Sequence, residues 1–332
     1  MRFIRTARAT AIAAAALAVV ATSALSAAAD PTFTPDSDDV VIVGSDASEL
    51  VLDDLMNLYN GRTPTPARRL ASFDATGSST ITIRSGVSIT RPNGSGAGIS
   101  ALCSRTDIDS ARSSRGKQAA DCADATFLPY AKDQLRWMKN ADATGVTSLT
   151  DAQLTAIYNC TITNWSQLGG NNLAIVPLIP QINSGTRATW AGLVGINSTN
   201  PPACVKDSVN GAQVQEHDPA PVAATSGAIA PVSVGRYGLL TPAQQAGTVL
   251  GSIPAPDSDS YDRTLYQVVK TVDGVVPDYL ADLFGDGSGF SSTGGTPFIC
   301  EPSDSDPATT TAGDVIKANG FVELGAGLCG VA

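Results

Sequence analysis

Three times along this chain, a short run of apolar, mostly β-branched residues stops at a cluster of small residues and gives way to helical spacing. Val40-Val-Ile-Val43 ends at Gly44-Ser-Asp-Ala-Ser48, after which Val51, Leu55, Leu58 and Tyr59 recur at helical intervals. Thr80-Ile-Thr-Ile83 and Val87-Ser-Ile-Thr90 alternate as strands do, and Pro92-Asn-Gly-Ser-Gly-Ala-Gly98 separates them from a helical start at Ile99. Leu173 to Ile179, where Pro177 marks an edge or irregular strand, leads through Gln181-Ile-Asn-Ser-Gly-Thr-Arg187 into a helix beginning over Ala188 to Val194. Strands alternating with helices predict an α/β fold with a largely parallel sheet. Ser48 is expected to cap the first helix.

Other segments fit the same alternation. Ser148 to Tyr158 reads as a short amphipathic helix capped by Thr150 or Ser148, and Tyr279 to Phe284 as another. Gly227-Ala-Ile-Ala-Pro231 and Leu265 to Thr271 read as strands, Gly285 to Gly289 as a loop, Glu301 to Ala312 as an exposed stretch, and Val315 to Gly320 as a last short helix or turn. The 332 residues are enough for two ordinary domains or one large one. The formal charge of −10 argues against nucleic acid and anionic membrane surfaces as partners.

Residues 1–29 combine a basic start (Arg2, Arg5, Arg8), an Ala-rich apolar stretch from Ala9 to Val20, and Ser26-Ala-Ala-Ala29. That is the layout of a cleavable secretory signal peptide, cut after Ala29, and Ala drives membrane insertion too weakly to favour an anchor. No cysteine stands near the cut, so no lipoprotein anchor is expected, and the mature chain is expected outside the cytoplasm. In that oxidising setting Cys103, Cys122, Cys160, Cys204, Cys300 and Cys329 read as disulfides, and none forms a C-x-x-C motif. Six cysteines allow 15 pairings, and sequence alone does not choose among them. Pairing of sequence neighbours, Cys103–Cys122, Cys160–Cys204 and Cys300–Cys329, is the arrangement expected here.

The small-residue turns also carry chemistry. A helix start exposes unpaired N–H groups and a partial positive charge, glycine permits close backbone approach, and Ser or Thr adds hydroxyl donors. Loops at Ser45 to Ser48, Gly94 to Gly98 and Ser184 to Arg187 could hold an anion without a cofactor if they converge. Ala111-Arg-Ser-Ser-Arg115 adds guanidinium groups suited to an oxyanion, and Arg187 is a second candidate cation. Taken singly, each turn is equally well a tight turn with a cap, and each Arg cluster a solvated surface.

The order of these motifs resembles the phosphate-binding receptors of ABC-type phosphate uptake, the PstS-like branch of the type 2 periplasmic-binding-protein superfamily. Gly44 to Glu49, Gly94 to Ile99, Asp107 to Arg115 and Ser184 to Arg187 stand where that family has its anion loops. Its most specific part is Leu149-Thr-x-x-Gln-Leu-x-x-Ile-Tyr158 followed by Ile162-Thr-Asn-Trp-Ser-Gln-Leu-Gly-Gly170. The resemblance spans Val40 to Trp190 and continues more loosely to Gly227-Ala-Ile-Ala-Pro-Val232. It implies two α/β lobes around a ligand cleft, residues 30–129 plus 231–332 forming one and residues 130–230 the other. It implies ligand contacts from Ser48, the Glu49 backbone N–H, Ser95, Ser184, Gly185 and Thr186, with Ser114 and Arg115 at the third loop.

Three positions depart from the family pattern. Its ligand carboxylate falls near Ser114, its arginine falls on Pro180, and Glu49 stands where an aromatic residue is usual. Arg115 or Arg187 is expected to replace the missing charge, with Asp46 a candidate substitute acceptor. The function implied is an extracytoplasmic receptor that captures a small oxyanion, phosphate first, and hands it to a membrane permease, with no cofactor, no metal and no bond made or broken. The alternatives are a secreted or surface protein that keeps the fold with an altered ligand or none, and a secreted hydrolase using His217, the only histidine, with Asp218. Against the hydrolase, no G-x-S-x-G elbow is present. Against a Ca²⁺ site, Asp257-Ser-Asp259, Asp304-Ser-Asp306 and Gly285 to Gly289 do not complete a 12-residue loop ending in glutamate.

Overall fold

A computed structural model describes residues 30–306 and 308–332; the expected signal peptide lies outside the described residues. The run read as the first strand is β1 (Val40–Gly44), every residue of it buried. A strand covered on both faces needs apolar residues without alternation, and this one has them. It passes through Ser45 to Ser48 into α1 (Glu49–Asn60), whose Val51, Leu52, Leu55 and Met56 are buried. Ser48 stands at the helix start, but its side chain makes no capping bond.

After α1 come β2 (Leu70–Ser72), β3 (Thr80–Arg84), β4 (Val87–Thr90), α2 (Ser95–Ser104), β5 (Ser110–Ser113) and the 16-residue β6 (Ala125–Asn140). Next are α3 (Asp151–Tyr158), β7 (Val176–Pro177), α4 (Gly185–Leu193), β8 (Ser208–Val209), β9 (Ala212–Gln213), α5 (Ala220–Ala223) and β10 (Ala228–Ser233). The chain ends with α6 (Val234–Gly238), α7 (Pro242–Gln245), β11 (Thr248–Gly251), α8 (Asp257–Ser260), β12 (Asp262–Lys270), α9 (Asp278–Phe284), α10 (Ala312–Ala318) and β13 (Val322–Glu323).

The α/β class holds, but the sheet is mixed rather than largely parallel. Its order is β2-β1-β5-β12-β6-β10-β7, with β11 and β13 also paired to β6. β1 is parallel to β2 and β5, and β10 to β7. The long strands β6 and β12 run antiparallel to each other, and β6 is also antiparallel to β10, β11 and β13. The long β6 imposes reversals, because it crosses from one group of shorter strands to the other and β12 returns alongside it. The alternating pair Thr80–Arg84 and Val87–Thr90 is a separate antiparallel hairpin and not part of the main sheet. β7 is cut to two residues at the sheet's end, where Pro177 can be tolerated. Of the two caps weighed for α3, Thr150 is used, in a reciprocal capping box with Gln153.

Apolar packing divides at the middle of β6. Two clusters gather Val40 to Phe127 with Val268, and Leu128 to Ala131 with Leu265, Leu280, Phe284 and Ile316. Two others begin at Leu135 and take in Trp137, Trp165, Trp190, Ile229, Tyr237 and Tyr261. All three expected disulfides are present: Cys103–Cys122, Cys160–Cys204 and Cys300–Cys329. Among the described residues no helix is long and apolar enough to cross a membrane.

α1 carries one ill-matched group. Both carboxylate oxygens of Asp53 are buried without a hydrogen-bond partner, and burial pushes its pKa to about 7 against the pull of Arg112. An acid raised in the folded state destabilises the fold once ionised, so the cost is full above pH 7 and vanishes below the ordinary carboxylate range. Asp53→Asn is therefore expected to raise the melting temperature by about 3 °C or more at pH 8, a gain that shrinks through pH 6 and is absent near pH 4. Thermal melts across that range test it.

Candidate functional site

Three helix starts meet because glycines let them. Gly44 has φ +122°, and a Cβ on Gly98 would lie 2.5 Å from the Gly44 Cα. No side chain fits there, so the first turn of α2 packs directly on the end of β1. A Cβ on Gly185 would overlap the hydroxyl oxygens of Ser95 and Ser114, so the start of α4 abuts the start of α2 and the end of β5. The Gly96 N–H donates to the Asn183 carbonyl at 2.9 Å, which ties α2 to the loop before α4.

Hydroxyls converge at this junction. Ser45 Oγ donates to Ser114 Oγ at 3.1 Å, Ser95 Oγ lies 3.3 Å from Ser114 Oγ, and the Ser114 N–H donates to Ser95 Oγ at 3.0 Å. All three serines are fully buried. Ser48 is also fully buried, and its Oγ has no hydrogen-bond partner. On α4, Ser184 Oγ caps the helix by accepting from the Arg187 N–H at 2.8 Å. The Thr186 N–H points to Glu216 Oε1 at 3.4 Å, and Thr186 Oγ1 accepts from Arg263 Nη1 at 2.9 Å. The structure thus brings Ser95, Ser114 and Gly185 into contact and sets Thr186 one residue further along the same helix start. Glu49 is buried and its Oε2 accepts from the Ala75 N–H at 2.6 Å.

The two arginines read as replacement cations have other partners. Arg115 forms a two-pronged pair with Asp121, both contacts at 2.8 Å. Arg187 donates to the Ser198 carbonyl at 2.6 Å, the Pro180 carbonyl at 2.8 Å and Asp207 at 3.1 Å. Three other arginines bond to residues at or beside the junction. Arg112 is fully buried and donates to the Ser45 and Phe73 carbonyls and to Ser72 Oγ. Arg236 Nη2 donates to Asp46 at 3.1 Å. Arg263 pairs with Asp133 through Nε at 2.9 Å and Nη2 at 2.8 Å, and Asp133 accepts a further bond from Ser233 Oγ at 2.6 Å.

Sequence reading missed Arg263, Asp133 and Glu216. Asp133 did leave a signal: in β6 it lies on the buried side between Ala131 and Leu135, with exposed Lys132 and Gln134 to either side. A charged residue in the inward phase of a strand asks for a buried partner. Glu216 left none, because it sits in the polar run Gln215 to Pro219, which reads as surface.

Beside the junction lies a cavity of about 720 Å³ lined by Asp46, Glu49, Asp74, Arg91, Glu216 and Arg236, among others. Burial pushes the Asp46 carboxyl well above its usual range despite Arg236, and Glu49 and Glu216 push it further. Burial also pushes Asp74 to about 8, with Glu49 and Asp53 adding to it. His217 is buried; its Nδ1 accepts from the Ser233 N–H at 3.2 Å and its Nε2 faces Glu216 at 3.6 Å. No group of three or more candidate metal ligands occurs among the described residues.

The model of a PBP superfamily domain matches residues 26–277. The chain belongs to the PBP superfamily. No curated protein sequence matches it. Among solved structures, the chain is similar to an ABC-type phosphate transport receptor from Vibrio cholerae, 22% identical over 86% of this chain and 99% of that one, with a TM-score of 0.55. It is also similar to a putative phosphate ABC transporter substrate-binding protein with bound phosphate from Clostridium perfringens, 17% identical over 86% and 99% of the two chains, TM-score 0.59. A phosphate-binding protein from Stenotrophomonas maltophilia is 14% identical over 87% and 91%, TM-score 0.50. At these identities the likeness is one of fold, the two-lobed fold of the PBP superfamily.

Arg263 and Asp133 form a buried ion pair beside the start of α4. Arg263→Met strands a carboxylate and is expected to cost about 3–5 kcal/mol, whereas Arg263→Met with Asp133→Asn recovers most of that loss. Urea unfolding midpoints of the two variants check this.

Proposed function

We propose that this protein is an extracytoplasmic receptor that captures a small oxyanion, phosphate first, for an ABC-type importer. The observation that carries the reading is the junction of Ser45, Ser95 and Ser114 hydroxyls with the start of α4, all buried and drawn from three strand–turn–helix connections and the end of β5. The phosphate receptors of like fold named above support phosphate over other oxyanions. Ser48, the Glu49 N–H, Ser95, Ser114, Ser184, Gly185 and Thr186 would bind the ligand, and Arg263 would supply the nearby positive charge. Arg115 and Arg187 would act through the loops they brace. Secretion by a signal peptide over residues 1–29 completes the reading.

The two lobes would move about β6 and β12, and a ligand touching both favours the closed form because only there can it make all its contacts. The packing of Tyr237, Ile253 and Tyr261 with the second group of clusters supports a return to the first lobe near residue 262 rather than at residue 231. His217 Nδ1 accepts from the Ser233 backbone N–H, which weighs against its use as the base of a serine hydrolase.

Isothermal titration of the purified protein against phosphate, sulfate, arsenate and molybdate at fixed pH tests the proposal. Phosphate is expected to bind, and Ser95→Ala and Ser184→Ala are each expected to weaken it by about tenfold or more, as loss of a hydrogen bond to a charged group implies. Dependence on salt should be weak, because the donors are mainly fixed dipoles at short range. Equal phosphate affinity in wild type and both variants would remove the site from this junction.

A further inference from the structure

We propose that Glu216 is a tethered competitor for the oxyanion: its carboxylate occupies the start of α4 and must leave for a tetrahedral anion to be bound there. The inference rests on the oxyanion reading above and adds a second occupant for the same helix start. Glu216 is 2% exposed, and its Oε1 lies 3.4 Å from the Thr186 N–H, in the first turn of a nine-residue helix. Its other oxygen, Oε2, is buried with no hydrogen-bond partner. Arg263 is bonded to the same Thr186 through Oγ1. The chain therefore places its own anion where N–H groups and a guanidinium make the strongest local attraction for one. Burial works against the Glu216 charge, but His217, Arg263 and Ser184 hold its pKa below the usual range.

Coexistence with a phosphate is unfavourable. Two like charges held this close in a buried site repel strongly, and phosphate carries more than one. Glu49 lines the same cavity and adds to the repulsion. A departing Glu216 would relieve it. Its loop is held from both sides, which gives it a path: Gln215 Oε1 accepts from Asn93 Nδ2 at 2.8 Å, and Asn93 Oδ1 accepts from Gln181 Nε2 at 2.7 Å. Asn93 precedes α2 and Gln181 precedes α4, so separating these elements breaks this chain of bonds and loosens the segment that carries Glu216, which stays tied through Val214 to Gln181 and Asp207.

If Glu216 holds the helix start most of the time, apparent affinity for an external anion falls by the fraction of time the start is free. Two readouts on Glu216→Ala test this, compared with wild type. Phosphate titration is expected to show binding tighter by about tenfold or more. Formate, a free carboxylate the size of the missing group, is expected to raise the melting temperature of Glu216→Ala and leave wild type unchanged. Formate stabilising both proteins or neither overturns the proposal, as does phosphate binding Glu216→Ala equally or more weakly; the weaker result would make Glu216 a ligand contact. If phosphate binds neither protein while formate still stabilises only the variant, the internal anion stands and the phosphate reading fails. Should Glu216→Ala lack a cooperative melt, Glu216→Gln, which keeps the shape and removes the charge, is read by phosphate titration alone under the same criterion.

Discussion

Asp133 and Arg263 face each other directly across β6 and β12, the two longest strands of the sheet. A buried ion pair costs desolvation, and it is held here by geometry: two contacts between the partners and a third bond from Ser233. Slipping the pair by one residue would turn both charges to the other face of the sheet, so the pair and the strand register enforce each other. The remaining arm of Arg263 reaches Thr186 at the start of α4. One cross-strand contact thereby sets the alignment of the long strands and the position of a positive charge under a helix start.

The cleft is not an electropositive basin. The chain is acidic overall, and Asp46, Glu49, Asp74 and Glu216 gather around one cavity. Anion binding in such a place depends on orientation rather than net charge. Hydroxyls and N–H groups fixed within hydrogen-bond distance act at full strength, while exposed carboxylates further off are screened by water and salt. The raised Asp46 and Asp74 fit this arrangement, since a carboxyl that keeps its proton repels an anion less.

The parts of the site legible in sequence were local ones. A small-residue turn between an apolar run and a helical repeat is written in adjacent residues, so Ser45 to Ser48, Gly94 to Gly98 and Ser184 to Arg187 could be found without a structure. The disulfides followed from compartment and proximity. Long-range pairing was out of reach: Arg263 meets Asp133 across 130 positions of sequence, and nothing near Arg263 distinguishes it from a surface arginine. Arg115 and Arg187 looked available because their partners, Asp121 and Asp207, lie in segments that read as ordinary polar loops. The largely parallel sheet failed for a related reason, since the direction of a crossing strand depends on where the chain must return, and periodicity does not record that.

The three disulfides share a property beyond holding loops. Cys103–Cys122 and Cys300–Cys329 lie with the clusters on one side of the β6 midpoint, and Cys160–Cys204 is associated with the clusters on the other. Among the described residues no disulfide spans the divide. Oxidation therefore hardens each half against unravelling and proteolysis, and adds no crosslink where the two halves join.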